Sequence, residues 1–161
     1  MEENQEFLEI IEDLLKNEKV NQMKKYRQHY DCSTYEHCLN VSYISYKIGK
    51  KMKMDYVSMA RAAMLHDLFL YDWRKREKDR FTDFHAFSHP RTALENARNV
   101  TKLNKKEEDI ILKHMWPVTL KLPRYKESYV ITLVDKYSAI LESIKYYKEV
   151  GSKLAMHFIK I

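Results

Sequence analysis

Apolar residues return every three or four positions through most of the chain, separated by short polar breaks, and that period predicts helices. Phe7, Ile10, Ile11, Leu14 and Leu15 share one face of a first helix over about 5–18, whose role is to close a core. Residues 19–33 mix charge with Tyr26, His29 and Tyr30 and show no clean period, so a short helix and a turn are expected there. Ser33 or Thr34 then offers an N-cap for a long helix running to about Met54. On it His37, Val41, Ile44 and Ile48 fall at i, i+4, i+7 and i+11, so an imidazole lies on the stripe that must face the core. A lone histidine so placed is commonly a satisfied core residue. The rest of the chain supplies more of them.

Asp55 can cap the next helix, in which Met59, Ala62, Ala63, His66 and Leu70 share a face with Asp67 beside them. From Tyr71 to Phe87 the period is lost: five basic and three acidic residues crowd positions 72 to 80, and Phe81, Phe84, His85 and Phe87 follow. A loop this long in a small domain reads as a binding or lid element, with a solvated linker as the alternative. Ser88 can cap a helix with Pro90 in its first turn and His89, Ala93, Ala97 and Val100 facing inward. Asn104 caps a further helix that ends on Ile110, Ile111 and His114. Trp116, Pro117 and Pro123 break the chain, and a helix from about Glu127 then carries Ile131, Asp135 and Ala139 on one side. Asp135 is almost enclosed by apolar neighbours. Gly151 is expected to break the pattern before a short closing helix.

Composition sharpens this picture. A chain of 161 residues is long enough for one domain with a sizeable core. It has two glycines and three prolines, where about eleven and eight would be average, which disfavours tight hairpins and Gly-rich phosphate loops. The fold class is therefore all-α. Cys32 and Cys38 form neither a CxxC pair nor a disulfide framework and read as reduced thiols. The first residues are acidic and no apolar run approaches a membrane span, so a cytoplasmic protein with no membrane partner is expected. The formal charge of +6 admits an anionic partner, although the charges are interspersed and a solvated lysine-rich surface is the ordinary explanation.

The inward polar groups are His37, His66, Asp67, His89, His114 and Asp135, drawn from five expected helices. Buried carboxylates without partners would neutralise at a stability cost, whereas metal ions hold them ionised. Imidazole and carboxylate without thiolate suit Fe, Mn, Co, Ni or Zn better than Ca²⁺ or Mg²⁺. The order His37, His66-Asp67, Asp135 resembles the H…HD…D signature of the HD superfamily of metal-dependent phosphohydrolases, over roughly residues 30–145. His89 and His114 further resemble the two extra histidines of its dinuclear members, which include symmetrical diadenosine-tetraphosphatases and cyclic-di-GMP phosphodiesterases. The resemblance implies a single-domain helical bundle around a central metal site. It implies that His37, His66, Asp67 and Asp135 hold one divalent ion and His89 and His114 a second, with Asp67 bridging. Such a pair, about 3.5–4 Å apart, activates a water for in-line attack on phosphorus. The chain shows no GxSxG and no P-loop that would supply another route. It also lacks the Gly-Tyr-Pro element and paired His-His of the cyclic-di-GMP branch, since Met115 follows His114. Leu68-Phe69-Leu70 does not supply the charged motif of the guanosine-tetraphosphate hydrolases.

The expected function is a metal-dependent phosphohydrolase acting on a small phosphomonoester or phosphoanhydride, with a nucleotide as the leading substrate. His85, four residues before His89, is a third ligand, a proton donor to the leaving group, or a loop residue. Arg74, Arg124 and Lys136 are candidate phosphate clamps, each weighed against a solvated surface charge. Trp116 and Tyr125 are candidates for stacking a base, against core packing for the tryptophan. His29 and His157 read as structural. Two other classes fit the ligand set: a diiron oxygenase of the same superfamily, and a non-catalytic module in which metals only hold helices together. Nothing resembles a base-reading motif, which sets nucleic acid aside as a partner.

Overall fold

The computed structural model describes residues 2–75 and 84–159, with side chains through 150. Helix α3 (Thr34–Lys51) and helix α4 (Tyr56–Leu65) are the most extensively packed pair and form the floor of the site. Ser33 starts α3 as a capping box: its side chain accepts from the Glu36 N–H, and the Glu36 carboxylate accepts from the Ser33 N–H. Asp55 caps α4 by accepting from the Ser58 N–H, as its place before the apolar run implies. The two helices approach closely at Gly49, where an added Cβ would lie 2.8 Å from Met59 Sδ and 2.9 Å from Tyr56 Cβ. Gly49→Ala is therefore expected to cost about 1–3 kcal/mol by overpacking. A lower denaturant midpoint at unchanged slope would show it.

Helix α1 (Glu2–Lys16) buries Phe7, Ile11 and Leu14 and closes the core beside α4. Arg61 of α4 fastens it, donating to Ile10 O at 2.8 Å and to both Asp13 oxygens at 2.6 and 2.8 Å. After α2 (Glu18–Gln22) and a 3₁₀ turn over Met23–Lys25 comes an antiparallel pair, β1 (Arg27–His29) and β2 (Cys32–Ser33). Glycine scarcity argues against such a hairpin, yet Tyr30 takes the left-handed conformation at φ 49° without being glycine. Its ring stacks on Tyr146 at 4.4 Å and its hydroxyl donates to Tyr147 at 3.2 Å, so contacts with a distant helix stabilise the turn.

Helix α4 ends at Leu65, with His66 as its C-cap, and Leu70 adopts φ 52°. Leu70 therefore leaves the helical face that the period assigns to it. Helix α5 (His85–Arg98) starts three residues ahead of the expected Ser88 cap, whose Oγ instead donates to Phe84 O at 3.2 Å, and Pro90 lies inside the helix. Asn104 caps α6 (Lys105–Lys113) with a second capping box, closed by Glu107. Helix α7 (Lys126–Ile159) runs through Gly151 without a break, so the described residues hold no separate closing helix. Apart from one two-stranded hairpin, the regular structure of the described residues is helical, with α1 to α7 around one apolar core. Residues 76–83, including Phe81 and most of the charged loop, lie outside the described residues, as does the side chain of His157. No helix of the described residues is long and apolar enough to cross a membrane.

Candidate metal centre

Five helices deliver the inward polar groups to one point. His37 comes from the first turn of α3, His66 and Asp67 from the end of α4, His89 from α5, His114 from the C-cap of α6, and Asp135 from α7. All six are at most 9% exposed. Helix ends carry four of them, His37, His66, Asp67 and His114.

The distances define two adjoining halves. Asp135 Oδ1 lies 3.0 Å from His37 Nε2 and 3.6 Å from His66 Nε2. Asp67 Oδ1 lies 3.2 Å from His89 Nε2 and 3.4 Å from His114 Nε2, while its Oδ2 is 3.5 Å from His66 Nε2. His37, His66 and Asp135 offer ligand atoms all within 4.8 Å of one another, and so do His66, Asp67 and His114. His89 Nε2 is 2.8 Å from His114 Nε2.

The second nitrogen of each ring decides what the first can do. His66 Nδ1 donates to Ala63 O at 2.7 Å, His89 Nδ1 to His85 O at 2.6 Å and His114 Nδ1 to Ile111 O at 2.8 Å. In the neutral form each of these rings therefore presents a bare Nε2 lone pair to the centre. Two such lone pairs 2.8 Å apart, on His89 and His114, repel unless a proton or a cation lies against them. His66 Nε2 and Asp67 Oδ1 are buried and receive no hydrogen bond. A centre built of acceptors aimed at one another is the donor set of a cation site.

Without a cation, protons take its place: burial opposes charge on His66, but Asp67, Cys38 and Asp135 hold it well above the ordinary imidazole value. Burial would raise the Asp67 pKa, but His66, His114 and His89 outweigh it and hold the carboxyl well below its usual range. Asp135 is likewise depressed by His37 and His66 against the cost of burial. Burial holds His114 below the ordinary imidazole value, which favours its neutral, ligating form. Burial opposes charge on His37 as well, but the carboxylates of Asp135 and Glu142 bring it up to about 10. A divalent cation would compete with that proton.

A cavity of about 260 Å³ opens over the centre, and Gln28, His29, Trp73, His85 and Lys136 are among its walls. His85 stacks on His89 at 4.4 Å and on Trp73 at 5.3 Å, and its Nδ1 is 3.1 Å from the Tyr71 hydroxyl. It stands at the start of α5, as a helix residue and not a loop residue. Lys136 donates to His114 O at 3.3 Å and Thr132 O at 3.4 Å, and burial lowers its pKa. Arg74 is exposed, with its guanidinium 5.0 Å over the Trp73 ring, and does not line the cavity. Arg124 is exposed at a separate cleft, where its N–H donates to Asp109. Trp116 packs edge-on against Tyr129 and Tyr125 lies under Lys106, so neither borders the cavity.

Periodicity misses three residues of the surround. Gln28 donates to Asp67 Oδ2 from the hairpin, and its Oε1 is buried with no hydrogen bond. His29 faces the His37 ring at 5.6 Å. Glu142 accepts from His37 Nδ1 at 3.0 Å. Glu142 is readable in retrospect, since it stands two turns beyond Asp135 on the same helix face. Glu142→Gln is expected to weaken metal binding about 10–100-fold while the fold holds, because it loosens the ring it orients. Titration of the metal-free protein with Mn²⁺ measures that loss.

Comparison with curated proteins and with solved structures gives no match. A family model described as HD domain matches residues 34–140. That span opens on the first residue of α3, ends inside α7 and contains all six residues of the cluster. Because it takes in well over half of the 161 residues, the chain belongs to the HD domain family.

Proposed function

We infer that the protein is a metal-dependent phosphohydrolase whose centre takes two divalent transition-metal ions and whose substrate is a small phosphomonoester or phosphoanhydride, with a nucleotide as the leading class. The carrying observation is the convergence of three Nδ1-anchored imidazoles, by their bare Nε2 atoms, on Asp67 and Asp135. His37, His66, Asp67 and Asp135 would hold one ion, and His89 and His114, with Asp67 shared, the other. Divalent ions, when bound, supply Lewis acidity to a phosphoryl oxygen and lower the pKa of water.

The residues around that centre have their own work. Gln28 fixes Asp67 Oδ2 by donating to it, which leaves Oδ1 facing His89 and His114. Glu142 and three backbone carbonyls hold the four rings in one tautomer and one orientation. Lys136 contributes an ammonium at the cavity wall whose hydrogen bonds go only to carbonyl oxygens at 3.3 and 3.4 Å, so it keeps its charge available for phosphate. His85, in the tautomer where Tyr71 donates to Nδ1, carries its proton on Nε2 and is suited to protonate the leaving oxygen.

The test is phosphate release under strict anaerobiosis from mono-, di- and dinucleotides, with Mn²⁺, Co²⁺ or Fe²⁺. Turnover without oxygen supports hydrolysis, and oxygen-dependent turnover with bound iron and no phosphate release overturns it in favour of an oxygenase. Lys136→Ala is expected to lower kcat/KM about 10–100-fold, a loss of charge-assisted phosphate contact, at unchanged metal content.

A further inference from the structure

The outward face of α7 carries Leu133, Tyr137, Ile140, Ile144 and Tyr147, each between 45 and 67% exposed. Their spacing is four, three, four, three, the strict repeat of a coiled-coil seam rather than the broader stripe of a helix lying on its own core. The core side of α7 is a different set, with Ile131, Val134, Asp135 and Ser138 all buried. The helix is thus apolar on two faces: the inner one packs on the chain's own core, and the outer one meets Tyr30 at its far end, through Tyr147.

We propose that this seam joins two copies of the chain in a homodimer through α7. The apolar area is of the right size: five large side chains about half exposed leave several hundred Å². That approaches the roughly 800 Å² each partner buries in a stable interface. The charge fits a second copy better than an oppositely charged partner. Although the whole chain is +6, residues 126–150 hold four basic and four acidic side chains, so two α7 helices meet without net repulsion. No charged residue stands on the seam between 133 and 147, and the seam runs about 21 Å, close to four helical turns. Tyr147 at its far end accepts from the Tyr30 hydroxyl, so the dimer would also brace the hairpin that brings Gln28 and His29 to the cavity.

Sedimentation equilibrium of the 161-residue chain from about 1 to 100 μM gives the direct reading, since a dissociation constant of about 1 μM corresponds to roughly 8 kcal/mol of association free energy. The expected mass is twice the 19.5 kDa of one chain. Ile140→Glu/Ile144→Glu should return it to a single chain with unchanged far-ultraviolet helicity. Leu133→Lys, at the most exposed seam position, should weaken association in the same direction and serves if the double variant does not fold. A wild-type protein that stays at one chain throughout, whether or not it binds phospholipid vesicles in parallel, overturns the proposal. So does a folded double variant that remains a dimer.

Discussion

Asp67→Asn is expected to lower phosphate release by at least about 10³-fold while leaving the helical fold in place. The substitution keeps the shape of the side chain and removes its charge. Asp67 faces more of the centre than any other residue: Oδ1 meets His89 and His114, and Oδ2 meets His66 and the amide of Gln28. An amide in that place turns one acceptor into a donor, which cannot ligate a cation and also faces the bare Nε2 atoms. Metal content should fall together with turnover. A variant that loses turnover but keeps its full complement of metal would show that Asp67 acts otherwise than as the shared ligand.

The second large effect is on stability. Four imidazoles and two carboxylates at most 9% exposed are held together by a cation or by protons, and chelation removes the first. If an ion is present at about a thousand times its Kd, its removal costs about 4 kcal/mol, which for a chain of this size lowers Tm by roughly 8–16 °C for each ion lost. Thermal unfolding before and after chelation, with recovery on adding Mn²⁺, measures it. The sign with pH follows from competition. Protons compete with metal for the imidazoles, and because the carboxylates bring His37 up to about 10 that competition is already present at neutral pH, so the metal-dependent gain grows as pH rises toward 10 and shrinks as pH falls. An unchanged Tm on chelation at neutral pH would mean that no cation contributes to the fold.

The cluster is legible in the sequence because helical period assigns faces. His37 lies on a stripe with Val41 and Ile48, and Asp135 sits among apolar neighbours, so both had to point inward. Caps at Ser33, Asp55 and Asn104 are equally readable, since short polar side chains ahead of a periodic run have one local use. The hairpin is not readable. Its strands are three and two residues long, too short for alternation, and its turn depends on Tyr30 meeting Tyr146 and Tyr147 from the far end of the chain. Gln28 and His29 come with that hairpin and are missed with it. Gly151 does not stop α7 because one glycine inside a helix costs only about 1 kcal/mol, less than the flanking residues return over 34 positions. Arg74 and Arg124 stand away from the cavity for a related reason, because sequence proximity to a ligand says nothing of direction once the helix has ended, as α4 has before Leu70 and α6 before Pro123.

The most direct test of the metal centre is the metal content of protein purified without oxygen and without chelators, measured for the wild type and for Asp67→Asn side by side. About two divalent transition-metal ions per wild-type chain are expected, by the shared-ligand arrangement of dinuclear sites, with a clear loss in the variant. A wild-type chain that carries no metal and takes up none on titration with Mn²⁺, Co²⁺, Fe²⁺ or Zn²⁺ would contradict it.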